Sequence, residues 1–197
     1  MRPGNTVQME SHAVATLRYI RESMDAAGSV AVPGSAGIAL GAIGLAAALL
    51  ASTPALRSWW LLIWLAAAVA GAAAGGAIMA RQSALHGALF GAPLRKLVLC
   101  LLPGIFAGAV LTAVHWQSGN LHAIPGTWLL LYGCALVSTS APTARIVGVL
   151  GALFVTLGLV AFWLPDELHI VALGAGFGGL HLVFGLLIGR KRHGRQG

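Results

Sequence analysis

Charge is scarce in this sequence. Asp, Glu, Lys and Arg make up 9% of its 197 residues, where a soluble domain carries about 25%. So few polar groups cannot cover a water-facing globule, whereas a lipid surround removes the need. Cysteine is scarcer still. Cys100 and Cys134 lie inside apolar runs with no C-x-x-C spacing, which excludes a disulfide framework and reads as small apolar packing. Charge is also missing from the interior of every long hydrophobic run, Arg145 at a run's edge being the nearest case. Ion-coupled carriers, proton pumps and voltage sensors place ionisable groups at mid-membrane, so their absence counts against those classes. Intramembrane metalloproteases and glutamate proteases need paired His and Glu, and they fall with the same observation. No short basic n-region precedes the first apolar run near Val30. The reading is therefore of no cleavable signal peptide, with insertion resting on the first span.

What is present is hydrophobic length. Crossing a bilayer takes about 20 apolar residues at about 1.5 Å of rise each, and six stretches qualify: 33–52, 58–80, 97–116, 124–140, 145–164 and 168–189. The expected fold is all-α, a polytopic membrane bundle of about six transmembrane helices preceded by an amphipathic N-terminal helix. Its parts would be a cytoplasmic segment (1–29), the six-helix domain (30–189) and a basic cytoplasmic tail (190–197). With the N-terminus inside, the inner segments hold eleven of the twelve basic residues and the outer loops hold only Arg57, the bias expected of cytoplasmic loops. Trp59, Trp60, Trp116 and Trp163 then fall near the outer boundary as an aromatic belt. The net charge of +7 sits at the ends of runs rather than in one stripe, which points to topology control and not to nucleic acid. The expected location is a bacterial inner membrane, with both termini cytoplasmic.

Residues 9–27 precede the first span. Ala13, Leu17, Ile20, Met24 and Ala27 form one apolar stripe while Arg18, Arg21, Glu22 and Asp25 take other faces, the pattern of an interfacial or partner-docking helix. The 27 glycines are close to double the usual share of about 7%, and inside apolar runs they let helix backbones approach closely. Val32-Pro33-Gly34-Ser35 with Gly41 is matched in spacing by Ile124-Pro125-Gly126-Thr127 with Gly133. Such a match could mark a three-plus-three inverted repeat, a recurrent transporter plan. Proline also suits the first turn of any helix, and Leu102-Pro103-Gly104 repeats the pair without a repeat.

Two groups of residues could carry chemistry. Gly174, Gly178, His181, Gly185 and Gly189 fall within a narrow arc at 100° per residue, giving the last span a glycine groove with one imidazole. A packed helix seam explains it, with His181 hydrogen-bonded to a neighbouring carbonyl or hydroxyl. Haem ligation needs a second histidine at the same depth, and His169 lies twelve residues earlier, about 18 Å along the axis. A rhomboid-type protease needs a serine in a Gly-x-Ser setting, and the fourth span offers Gly133-Cys134-Ala135. The second group is His115, His122, His169 and Asp166, which the topology brings to the outer face. Imidazoles with a carboxylate could bind Zn²⁺ or Cu²⁺ or respond to pH, although a solvated rim explains them too. No other cofactor is expected.

The runs Leu17-Arg18-Tyr19-Ile20-Arg21-Glu22-Ser23-Met24, Pro125-Gly126-Thr127-Trp128-Leu129-Leu130-Leu131-Tyr132-Gly133 and Gly176-Phe177-Gly178-Gly179-Leu180-His181-Leu182-Val183-Phe184-Gly185 carry a resemblance. The chain resembles, over nearly its whole length, an uncharacterised bacterial family of six-span predicted membrane proteins, often encoded beside a winged-helix regulator. The resemblance implies an inner-membrane location and a regulatory or stress-linked context, and supplies no catalytic residue. The expected function is that of a non-enzymatic sensor, accessory subunit or scaffold, assembled through glycine-rich helix faces as a homo-oligomer or with a membrane-protein partner. The alternative is a carrier or channel for a small neutral or weakly polar solute, with Thr127, Tyr132 and His181 as pathway residues.

Overall fold

The computed structural model describes residues 16, 17, 19, 33–85, 92–140 and 145–193, and every regular element among them is helical. Helix α1 (Gly34–Ser52) leads through a 3-10 turn (Arg57–Trp59) into α2 (Trp60–Leu85). Then come α3 (Ala92–Gln117), α4 (Ala123–Ser140) and α5 (Arg145–Ala161). The last helix has three parts: α6 (Asp166–Leu173), a π-helical stretch (Gly174–Leu180) and α7 (His181–His193). The expected helix at residues 9–27 lies outside the described residues except for Thr16, Leu17 and Tyr19, which are helical. Residues 194–197 of the basic tail also lie outside them.

Proline sets several boundaries. Pro33 and Pro165 hold extended backbone (ψ 135 and 154°) just before α1 and α6, where a missing N–H costs nothing. After Pro165, Asp166 and Glu167 occupy the first turn, where carboxylates oppose the positive end of the helix dipole. The α3–α4 turn reverses at Gly119, which takes φ +71°, a left-handed conformation that favours glycine. Helix α5 stops at Ala161, short of the expected 164. The three residues before Pro165 instead form i→i+3 turns, with Phe162 N–H donating to the Leu159 carbonyl and Trp163 N–H to that of Val160.

Among the described residues, four helices are long and apolar enough to cross a membrane: Gly34–Ser52, Arg57–Gln82, Val98–Gln117 and Asp166–Arg190. The apolar helices at Ala123–Thr139 and Ile146–Ala161 are shorter. The outer surface is apolar as well, with Leu49, Val69, Phe106 and Val171 each more than 60% exposed. In water such a surface would cost about 25 cal/mol for every Å². Against lipid tails it costs nothing, and the chain has the form of a membrane protein.

Two seams of bare backbone hold the bundle. In the first, α1 lies antiparallel to the last helix. A Cβ placed on Gly34 would stand 2.5 Å from the Gly185 carbonyl oxygen, and one on Gly44 would stand 2.6 Å from that of Phe177. From the other side, a Cβ on Gly185 would come within 2.7 Å of the Ile38 nitrogen. The second seam joins α4 to α5, where a Cβ on Gly133 would meet the Gly151 oxygen at 2.8 Å and one on Gly151 would meet the Gly133 oxygen at 2.9 Å. The seam glycines repeat at seven residues: 34 and 41, 126 and 133, 151 and 158, 178 and 185. Seven residues make nearly two turns, so each pair shares a face.

The remaining helices attach to these two pairs. Helix α3 lies on α4, with Gly104 against Leu131 and Ala135. There the Trp128 indole N–H donates to Thr112 Oγ1 (2.7 Å), whose own proton goes to the Gly108 carbonyl (2.6 Å). Helix α2 lies on α1, through Leu40 beneath Gly71, and sends Trp64 into the core beside Phe154, Leu129 and Leu173. An inverted repeat would give α4 the same glycine partner relation to α3 that α1 has to the last helix. The glycine seam of α4 instead faces α5, so the two seams link non-equivalent pairs and lend the repeat no support.

A methyl group at a seam glycine must push two backbones apart. Gly133→Ala and Gly158→Ala are each expected to lower stability by about 1–3 kcal/mol, the usual cost of overpacking. A Cβ on Gly76 meets nothing within 4 Å, so Gly76→Ala should be neutral or slightly stabilising. Reversible unfolding in mixed micelles measures all three, and equal effects would contradict the seam.

Candidate functional site

The chemistry-bearing side chains gather at two levels of the same helices. At the rim, His122 sits in the turn before α4, while Asp166 and His169 stand one turn apart in α6. His122 Nδ1 lies 2.6 Å from Asp166 Oδ1, and His169 Nδ1 lies 3.6 Å from the same oxygen. The two rings meet edge to face with centroids 4.5 Å apart. His122 Nε2–H donates to the Phe162 carbonyl (3.3 Å), and His169 Nε2–H donates to the Ala161 carbonyl (3.2 Å). Consecutive carbonyls at the end of α5 thus hold both rings in one sense, with both Nδ1 atoms facing the carboxylate. His169 is buried at 6% exposure, whereas the His122 and Asp166 side chains are 45% and 76% exposed. Of the four residues expected together, His115 stands outside this group. It is half-buried in the last turn of α3, and its carbonyl accepts the Asn120 N–H at the Gly119 reversal.

In the core, the Tyr132 hydroxyl lies 2.9 Å from His181 Nε2. A buried phenol needs an acceptor, so its O–H donates to Nε2 and the ring proton resides on Nδ1. That Nδ1 is buried without a hydrogen-bond partner. Phe154 and Phe177 complete the cage, with Tyr132 5.0 Å and 5.2 Å from them by ring centroid and His181 stacked on Phe177 at 6.3 Å and 11°. Trp64 reaches Phe177 from α2 (5.9 Å), and its own indole nitrogen is buried without a partner. An interhelical hydrogen bond in a membrane protein is worth about 1 kcal/mol. The Tyr132–His181 contact therefore orients the rings more than it stabilises the fold.

The regular helical wheel placed His181 in the groove with Gly174, Gly178, Gly185 and Gly189. Three of the four glycines face α1: Gly174 against Ala48, Gly178 against Leu45, and Gly185 against Ile38 and Gly34, whereas Gly189 has only its backbone beside Gly34 and faces open space. The imidazole turns away from them to Tyr132 on α4. The π-helical stretch holds Gly174 and Gly178 and ends just before His181. A π turn takes up an extra residue, and four glycines in seven residues weaken the regular helix enough to admit it. Thr127 is buried on α4, but its hydroxyl proton goes to the Ala123 carbonyl at 2.8 Å. It binds its own helix rather than joining the Tyr132–His181 pair. Phe154, Phe177 and Trp64 belong to the site without having been singled out in the sequence. Their only early signal was aromatic size inside apolar runs.

Comparison with protein-family models, with curated proteins and with solved structures returns no match.

The rim makes a pH prediction for the metal-free protein. The hydrogen bond to Asp166, and after it the one to the Phe162 carbonyl, raises the His122 pKa above its ordinary 6.5. A group whose pKa rises on folding contributes stability fully below its unfolded pKa and loses it as pH climbs through the folded value. While Asp166 is ionised, the His122–Asp166 contact should therefore be intact up to about pH 6.5 and weaken as pH climbs through the raised His122 value. In chelator-treated samples, histidine-ring NMR should show His122 titrating above 6.5 and Asp166→Asn bringing it back toward that value. A midpoint untouched by Asp166→Asn would contradict the pairing.

Proposed function

We propose that the protein is a non-enzymatic sensor or accessory subunit of a bacterial inner membrane. In this reading all six apolar helices cross the bilayer and both ends are cytoplasmic. Three features support the six crossings. Helices α4 and α5 have 18 and 17 residues, within the range of about 17–25 that spans a bilayer. The start of α1 lies beside the end of α7, as an even number of crossings requires. The distribution of Lys and Arg then puts that end inside. The resemblance to six-span proteins encoded near winged-helix regulators fits a regulatory role.

One observation carries the sensor reading: α4 and the last helix are pinned together twice, with the π-helical stretch between the pins. His122 meets Asp166 and His169 at the exposed rim, and Tyr132 meets His181 in the core. A change at the rim therefore bears on a stretch of weak helix that leads to the buried pair, and beyond it to the basic end of α7. The glycine face first expected to bind partners is covered by α1, so assembly with a second copy or another membrane protein would use other faces.

A carrier for a small neutral or weakly polar solute is the second reading. It is favoured by the unpartnered His181 Nδ1 and Trp64 Nε1 flanking Phe177 in the core, with Thr127 and Tyr132 nearby on α4.

Hydrogen exchange in lipid nanodiscs tests the sensor. Asp166→Asn is expected to change the protection of residues 174–181 as well as that of the rim. Exchange altered only at the rim would refute the coupling. Solute flux in proteoliposomes abolished by His181→Leu would move the assignment to the carrier.

A further inference from the structure

We propose that His122, Asp166 and His169 bind one divalent transition-metal ion of the zinc class. The proposal names the input of the sensor and rests on that reading for its meaning in the cell, while ion binding is measured independently of it.

Two consecutive backbone carbonyls, the last of α5 and the one after it, orient both histidine rings. Ala161 takes the Nε2–H of His169 and Phe162 takes that of His122. Each ring is thereby fixed in the tautomer that leaves Nδ1 as the donor atom. An imidazole whose second nitrogen is held by a carbonyl is the usual form of a metal-bound histidine, because that contact sets the ring's orientation and raises its basicity. Both Nδ1 atoms converge on one oxygen, Asp166 Oδ1, at 2.6 Å and 3.6 Å, and the three ligand atoms lie within 4.8 Å of one another. A proton can bridge the shorter pair. It leaves the nitrogen of His169, nine-tenths buried, facing a carboxylate oxygen from beyond hydrogen-bonding range. A cation seated among the three atoms satisfies all of them.

The dimensions agree with such an ion. Ligands at about 2.0–2.1 Å in a tetrahedron stand about 3.3 Å apart. The His122–Asp166 pair must open by less than an ångström, the His169–Asp166 pair must close slightly, and the two nitrogens, within 4.8 Å of each other, must close by up to about 1.5 Å. The exposed His122 and Asp166 side chains permit these movements. Two nitrogens and one carboxylate suit zinc-like ions. Calcium and magnesium prefer oxygen throughout, and copper(I) prefers sulfur. The half-exposed His122 and exposed Asp166 leave an entry path and a fourth position for water, while buried His169 anchors the site to α6. A bound ion would tie the turn before α4 to the first turn of α6, at the outer pin of the coupled pair.

Isothermal titration with ZnCl₂ tests the proposal on the full chain in nanodiscs, stripped with chelator and carrying no histidine tag. The expected result is about one ion per chain, with affinity falling at least tenfold in His122→Ala and Asp166→Asn. Loss of a tuning contact alone costs 10–100-fold at metal sites. Both residues are exposed, so folding should survive their replacement, and His115→Ala should bind as the original does. No saturable binding, or equal binding by Asp166→Asn, overturns the site. Zinc that binds as expected without altering exchange at residues 174–181 upholds the ion site and counts against the sensor. Absent binding overturns the ion site whatever the exchange shows.

Discussion

Backbones that touch with no side chain between them set the geometry of this bundle. Where the Gly133 and Gly151 carbonyls each lie within 3 Å of the other helix's missing Cβ, axes approach as closely as helices can, and dispersion and Cα–H contacts replace side-chain interdigitation. Lipid offers no hydrophobic drive to press helices together, so contact area of this kind must supply cohesion. Each seam also fixes a register, because displacing a glycine row by one residue would place a side chain against backbone.

The polar contacts depend on that register. With α4 clamped to α5 and the last helix clamped to α1, His122 falls level with Asp166 and Tyr132 falls level with His181. The π-helical stretch lies between these levels and carries the glycine-rich run Gly174–Leu180. Low helix propensity makes the wider turn accessible, and the same helix presents glycines to α1 and an imidazole to α4. Among the described residues, the buried threonines Thr112, Thr127 and Thr139 each donate to a carbonyl of their own helix, so the Tyr132–His181 pair is the contact that carries polarity between α4 and α7.

The helical architecture was legible because hydrophobic length is a one-dimensional signal. The ends of α1, α4 and the last helix differ from the expected stretches by a residue or a few, and proline or the glycine turn marks them. The rim cluster was legible in part. Short loops brought His122, His169 and Asp166 together, but His115, in the last turn of α3, stands outside the group, and no charge or hydropathy pattern encodes which way a helical side chain at that level points. For the core site, a wheel at 100° per residue put His181 on the arc of the glycines, while the imidazole points to Tyr132, a side-chain direction that a wheel does not encode. What covers the glycine face was hidden for another reason. Glycine rows announce close contact without naming the partner, and only the matching seven-residue spacing of Gly34 with Gly41 and Gly178 with Gly185 hinted that the partner was α1.

The closure of α1 on the last helix underlies the seams, the register and both sites, and cysteine cross-linking tests it directly. A Cβ on Gly174 would stand 2.8 Å from that of Ala48, so a small parting suffices for a disulfide, which needs about 3.5–4.5 Å. Ala48→Cys with Gly174→Cys, in a chain with Cys100 and Cys134 replaced by Ala, would be oxidised in native membranes. A bundle closed in this way gives rapid cross-linking within one chain, seen as a reductant-reversible mobility shift at monomer mass. A bond that forms only between two chains, or none at all, would contradict it.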